Sequence, residues 1–212
     1  MSDVVFYGLG IVIPLMTESL LQFPKLCLHF FNLVSYVIEN FAEKLTTIEP
    51  SLFTMLMNTL HFGIKHLRKD IAQYSLRAIS ELASFHYKAI RRGEIGISAH
   101  LDNNIGLFTH FLKTIFHDVL LELYRAELME SYANAVLPLI LCCRDQYLSI
   151  AHEFAAGQPH GPSQQRVVDT FGQLMTGKDP NTEMGLDRFC RRHFRRNWKH
   201  FVTETRGMIQ IK

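Results

Sequence analysis

Apolar residues return every three or four positions along most of this chain. In the stretch PSLFTMLMNTLHFGIKHL, which starts at Pro50, the residues Phe53, Leu56, Leu60, Ile64 and Leu67 fall on one side of a helix. Pro50 suits a first helical turn, where its missing N–H costs nothing. The next stretch, KDIAQYSLRAISELASFHYKAIRR, places Ile71, Ala78, Leu82, Phe85 and Ala89 on one side, and Asp70 and Gln73 have capping-pair spacing. Phe108, Phe111, Leu112, Ile115, Val119 and Leu123 make another stripe; Met129, Tyr132, Val136 and Ile140 make a further one, with a kink expected at Pro138. Alternation of period two is absent, so the pattern predicts an all-α fold.

Glycine and proline divide these helices. Turns are expected at Gly93-Glu94-Ile95-Gly96, from Gly157 through Pro162, and from Gly177 through Asn181. The helices then fall near 3–13, 24–41, 50–67, 70–92, 103–124, 126–143, 145–156, 163–176 and 184–206. Taken in twos they form antiparallel hairpins whose first members begin near 3, 50, 104 and 144. That is a loose period of about 40–47 residues, the length of a two-helix HEAT-type repeat. The expected organisation is one HEAT-repeat-like α-solenoid over 1–212, with pairs 3–41, 50–92, 103–143 and 145–176 and a terminal helix at 184–206. A helical bundle is the alternative, because the units share little sequence.

The opening run VVFYGLGIVIPLM, Val4 to Met16, could belong to several kinds of protein. A membrane-spanning helix needs about 20 apolar residues, and this run carries Pro14 and stops at Thr17-Glu18. A secretory leader needs a positive start, whereas Asp3 is the only charge before the run. Gly8-Leu9-Gly10 has Ile13 where a dinucleotide loop needs its third glycine, and no Lys-Ser or Lys-Thr follows nearby. A buried helix that ends or kinks near Pro14 is the reading that survives. A terminal repeat should present a polar outer face, so this run predicts an exposed apolar flank on the first helix pair.

Composition narrows the function classes. Apolar residues make up 48 % of the 212 and charged ones 20 %, enough for a core and too little charge for disorder. A formal charge of +2 supplies no global field for nucleic acid or an acidic membrane. Cys27, Cys142, Cys143 and Cys190 lack CxxC spacing and read as reduced, mostly buried thiols. His110 and His117 lie seven apart beside Asp118, without the third and fourth ligands of a zinc site. Glu81, Glu122 and Glu127 are isolated carboxylates, and no nucleophile or cofactor motif is present. No catalytic residue, cofactor or metal ligand is therefore assigned, and an enzyme is not expected.

The sharpest local feature is DRFCRRHFRRNWKHF, from Asp187 to Phe201. On a helix, Arg188, Arg191, Arg192, Arg195, Arg196 and Lys199 share one basic face, while Cys190, Phe194, Trp198 and Phe201 form an apolar stripe. Such a helix can be docked with a solvated basic back, can offer a contact surface to an acidic protein partner, or can meet phosphates of RNA, DNA or anionic lipid. Trp198 reads as an anchor for the helix, with a binding hot spot as the lesser alternative.

The first third of the chain also resembles a known family. GLGIVIPLMTESLLQFPKLCLHFFNLVSYVIENFAEKL followed by LFTMLMNTL is similar to the C-terminal part of the exportin-4 family, nuclear export receptors of the importin-β superfamily. The pattern is Tyr7-Gly8, Pro14-Leu15, Leu20-Leu21, Phe23-Pro24, Leu26-Cys27, Glu43-Lys44, Leu52-Phe53 and Leu60. Beyond Lys69 the likeness is one of helix layout, returning in the final residues up to Lys212. Ala42 departs from the pattern, which has proline before Glu-Lys, and the last helix is more basic than the family's. The resemblance implies a HEAT-repeat superhelix that carries protein cargo between nucleus and cytoplasm. It implies control by Ran-GTP through a longer receptor, possible contact with nuclear pore proteins, no transmembrane segment, and no main role for nucleic acid. It implies that the chain corresponds to such a receptor's last repeats, with Met1 either a true start or a fragment boundary. The alternative from the residues alone is a stand-alone helical protein that binds nucleic acid or anionic membrane through the basic helix.

Overall fold

A computed structural model describes residues 2–122, 124–158, 162–177 and 184–208. Met1, Leu123, residues 159–161 and 178–183, where two of the expected turns fall, and residues 209–212 lie outside that description. The described residues form eleven α-helices: α1 Ser2–Leu15, α2 Glu18–Leu21, α3 Pro24–Asn40, α4 Pro50–Ile64, α5 Lys69–Arg91, α6 Ser98–Asn103, α7 Leu107–Leu121, α8 Met129–Cys142, α9 Arg144–Ala156, α10 Pro162–Leu174 and α11 Arg188–Met208. Short 3-10 segments at Ala42–Thr47 and Ala126–Leu128 join them, and no strand occurs among the described residues. The fold is all-α, built from HEAT-like helix pairs, in two compact units, Met1–Leu107 and Phe108–Lys212.

In the first unit α4 packs on α5, α3 runs along α5, and α1 leans on α4. First helices thus stack on first helices and second on second, which is how HEAT pairs build a layer. Proline fixes two starts: Pro24 opens α3 and Pro50 opens α4. Gly63 lets α4 sit close, since a Cβ there would fall 1.9 Å from Ser75 Oγ and 2.5 Å from a Phe31 ring carbon. Phe53, Leu56, Leu60 and Ile64 are fully buried, as the spacing predicts. Leu67 is not, because α4 stops at Ile64 and leaves that side chain 95 % exposed.

Other boundaries shift for physical reasons. Lys69 rather than Asp70 begins α5, so Asp70 lies inside the first turn and pairs with Arg68 at 3.4 Å; Gln73 completes no capping box. The helix expected over 103–124 begins only at Leu107 and ends at Leu121, because Gly106 turns the chain at φ +76° just ahead of it; a further short helix, α6, precedes that turn. Gly93 and Gly96, at φ +76° and +56°, make the turn that their spacing predicts. Pro14 lies inside α1, which runs one residue past it, and Pro138 lies inside α8.

In the second unit α9 pairs with α10, α10 with α11, and α8 packs on both α9 and α11. Phe116 of α7 holds them together. Its ring lies 5.2 Å from Phe171, 5.8 Å from Phe201, 5.9 Å from Trp198 and 6.1 Å from Tyr147. Tyr147 also donates a 2.6 Å hydrogen bond to the Phe171 carbonyl, tying α9 to α10. Aromatic clusters of this kind combine large area burial with favourable edge and offset contacts.

Candidate anionic-partner surface

The α11 helix starts where Asp187 can cap it. Asp187 Oδ1 accepts the backbone N–H groups of Phe189 at 2.8 Å and Cys190 at 3.0 Å, satisfying donors that the helix leaves open. Hydrogen bonding from Cys190, side chain first and backbone next, pulls the Asp187 carboxyl below its ordinary value. Along the helix Cys190, Phe194, Trp198, Phe201, Val202 and Thr205 are buried, so the apolar stripe read from the sequence is the docked face. Trp198 is fully buried in the aromatic cluster, which makes it a packing anchor.

Arg206 fastens the far end. Its guanidinium donates to the carbonyls of Val119 and Glu122, the latter at 3.0 Å, where α7 ends, and lies 5.5 Å from the Tyr124 ring centre. A cation at a helix C-terminus meets both open carbonyls and the negative end of the dipole.

The six cations singled out from the sequence divide into two sets. Arg191 and Arg195 are half-buried and engaged: Arg191 Nε donates to the Leu186 carbonyl at 3.0 Å, and Arg195 Nε donates to Asn134 Oδ1 at 2.9 Å. Arg195 also pairs with Glu130 at 3.0 Å, a solvent-facing bridge that adds little. Arg188, Arg192, Arg196 and Lys199 are exposed, and among the described residues their side chains have no hydrogen-bond or ion-pair partner. At about 100° per residue these four share an arc of about 80°. Glu204 is the only acid on α11, and it lies beside His200 at 3.2 Å instead. Like charges three and four residues apart each cost about 0.2–0.5 kcal/mol, so this face is mildly self-repelling.

A groove of about 320 Å³ opens between α10 and α11. Gln173, Arg196 and His200 line it with polar groups, and the nearly buried Leu174 and Phe201 close its base. Asn197 donates to the Gln173, Leu174 and Thr176 carbonyls at 3.4, 3.2 and 3.0 Å, capping the end of α10. The Arg196 guanidinium is therefore not needed for that cap. Sequence spacing alone does not show this groove, because its two walls come from helices whose pairing is set by the tertiary fold.

The expected apolar flank is present on the first helix pair. Val4, Tyr7, Ile11 and Leu15 of α1 are 50–74 % exposed, and Phe23, Leu26, Leu33 and Tyr36 also face solvent. Other candidate groups assemble nothing. His110 and His117 are exposed, with His117 near Glu122 at 3.6 Å, and no three potential metal ligands cluster among the described residues. Burial pushes the Cys143 thiol up to about 12, the opposite of an activated nucleophile. Tyr132, raised chiefly by burial, donates to Asp118. No single described helix is long and apolar enough to cross a membrane.

Comparison with known proteins places these features in a family. The chain is 22 % identical over 186 residues to Ran-binding protein 16 of Drosophila melanogaster, a match covering 81 % of this chain and 17 % of that protein. The chain thus spans less than a fifth of the length of this curated relative. No solved structure matches it. The family model for Exportin-4 matches residues 1–212, the whole of the sequence, and the chain belongs to the exportin-4 family.

Proposed function

We propose that this chain contributes C-terminal helical repeats to a nuclear export receptor that binds folded protein cargo in a Ran-GTP-dependent cycle. The observation that carries the reading is the family match over residues 1–212, and the stacking of α1 on α4 and α3 on α5 is in keeping with it. The name of the Drosophila relative, a Ran-binding protein, points the same way. The role is binding rather than catalysis, and the receptor shuttles between nucleus and cytoplasm. The mechanism is linkage: Ran-GTP and cargo favour the same curvature of the stacked pairs, so each raises the other's affinity. Binding of Ran itself belongs to the longer receptor, and this segment alone binds cargo weakly.

A second reading draws on the four unpartnered cations of α11: a helical protein that binds nucleic acid or anionic membrane. The near-neutral charge of +2 disfavours it. The test is affinity purification of the tagged gene product from nuclear extract, with Ran locked in its GTP or its GDP form. Export predicts folded proteins retained with Ran-GTP and released with Ran-GDP. Equal retention with both forms contradicts it.

A further inference from the structure

We propose that the groove between α10 and α11, together with the cationic strip beside it, docks an acidic segment of a protein partner, with one carboxylate entering the groove beside Arg196 and His200. The inference rests on the reading of the chain as a protein-binding segment, and it adds the place and the chemistry of one contact.

Three observations carry it. First, Arg188, Arg192, Arg196 and Lys199 are exposed and unpartnered among the described residues, while their neighbours Arg191 and Arg195 are consumed inside the unit. The engaged pair fixes how α11 is rotated about its axis, and that rotation turns the other four outward as a set. Second, the groove of about 320 Å³ is lined by donors suited to a carboxylate, the Arg196 guanidinium and the Gln173 amide, with the His200 ring beside them holding its Nδ1 against Glu204 at 3.2 Å. Asn197 already serves the α10 carbonyls, so these donors are not required there. Third, the volume lies at the small end of ligand sites, and its base is the nearly buried Leu174 and Phe201. One acidic side chain fits that description. Single-stranded nucleic acid needs successive exposed stacking platforms along a cationic track, whereas Phe201 is buried and Phe189 is the one exposed aromatic on α11. Charge complementarity therefore selects a short acidic stretch of protein.

The test uses the full chain and fluorescence anisotropy of a fluorescein-labelled hexaglutamate peptide at low and at physiological salt. Hexalysine, a 20-nucleotide single-stranded RNA and phosphatidylserine vesicles run alongside. Hexaglutamate is expected to bind, with affinity falling as salt rises. Arg192→Glu combined with Arg196→Glu should weaken it at least tenfold, and Gln173→Trp, which fills the groove without changing charge, several-fold. The charge-matched control Lys25→Glu with Lys69→Glu should leave it within twofold. All these side chains are exposed, and far-UV circular dichroism checks that each variant is folded.

The proposal is overturned if hexaglutamate does not bind, or if the control reversal weakens it as much as the α11 reversal. It is equally overturned if RNA or vesicles bind more tightly through the same arginines, or if Gln173→Trp has no effect. If the α11 reversal in the longer receptor leaves Ran-GTP-dependent cargo retention unchanged while the peptide fails to bind, this inference falls and the export reading stands.

Discussion

Helices α1 and α11 each bury one face and expose the other, but what they expose differs. On α1, Phe6, Leu9 and Ile13 are buried while Val4, Tyr7, Ile11 and Leu15 face solvent, so the helix is apolar all round. On α11, Phe194, Trp198 and Phe201 are buried while Arg188, Arg192, Arg196 and Lys199 face solvent. The difference lies in what orients each helix. A helix that is apolar on every side has little preference for which face it buries, and α1 meets chiefly α4. A strongly amphipathic helix has one answer, which Asp187, Arg195 and Arg206 reinforce at its start, middle and end. The α11 surface is thus a defined arrangement of charges, whereas α1 offers unspecific apolar area.

Loss of the α11 anchor should have the largest effect. Trp198→Ala should cost about 3–5 kcal/mol, the usual loss for a buried tryptophan, and chemical denaturation would show it. Trp198→Phe should cost much less, since the indole Nε1 is buried without a partner. In the other unit Gly63→Ala should cost about 1–3 kcal/mol through overpacking, because Ser75 and Phe31 occupy the space a methyl needs. Arg206→Ala should cost about 1–3 kcal/mol, since a charged donor to two carbonyls is lost. Arg206→Lys should recover only part of it, since an ammonium lacks the planar fork.

A smaller effect is linked to pH. Burial holds His86 below its ordinary 6.5, and the Ile97 N–H donates to its Nδ1 at 3.4 Å, so the neutral ring is the form that fits. The unfolded chain then takes up the proton first. Stability from this residue is complete above 6.5 and falls as pH drops below that value. Thermal melts between neutral and mildly acidic pH should show that decline, and His86→Gln should flatten it. The smallest effect belongs to α1: Ile11→Gln with Leu15→Gln should change stability by no more than about 0.5 kcal/mol. A loss of several kcal/mol in an unfolding titration would mean that these side chains are buried after all and would remove the comparison.

Much of the fold is legible in the sequence because helical spacing reports burial directly. Phe111, Leu112 and Ile115 read as one face and are fully buried together, and so do Ile71, Ala78 and Leu82. Reading fails where a turn residue carries the information. The short helix α6 is missed because Ser98–Asn103 is too short to show a period, and the 3-10 segment Ala42–Thr47 has no period of its own. The candidate surface is legible by half. Composition and spacing identify six cations on one side of α11. They do not reveal that Asn134 and Glu130, about sixty positions earlier, take up Arg195, because that pairing depends on α8 packing against α11.

The proposed role of this segment is in protein export. The most direct measurement is deletion of the codons for residues 1–212 from the native gene, followed by quantitative proteomics of nuclear and cytoplasmic fractions. A defined group of proteins should accumulate in the nucleus, and re-expression of the intact product should reverse the shift. An unchanged distribution of every protein would contradict a role in export.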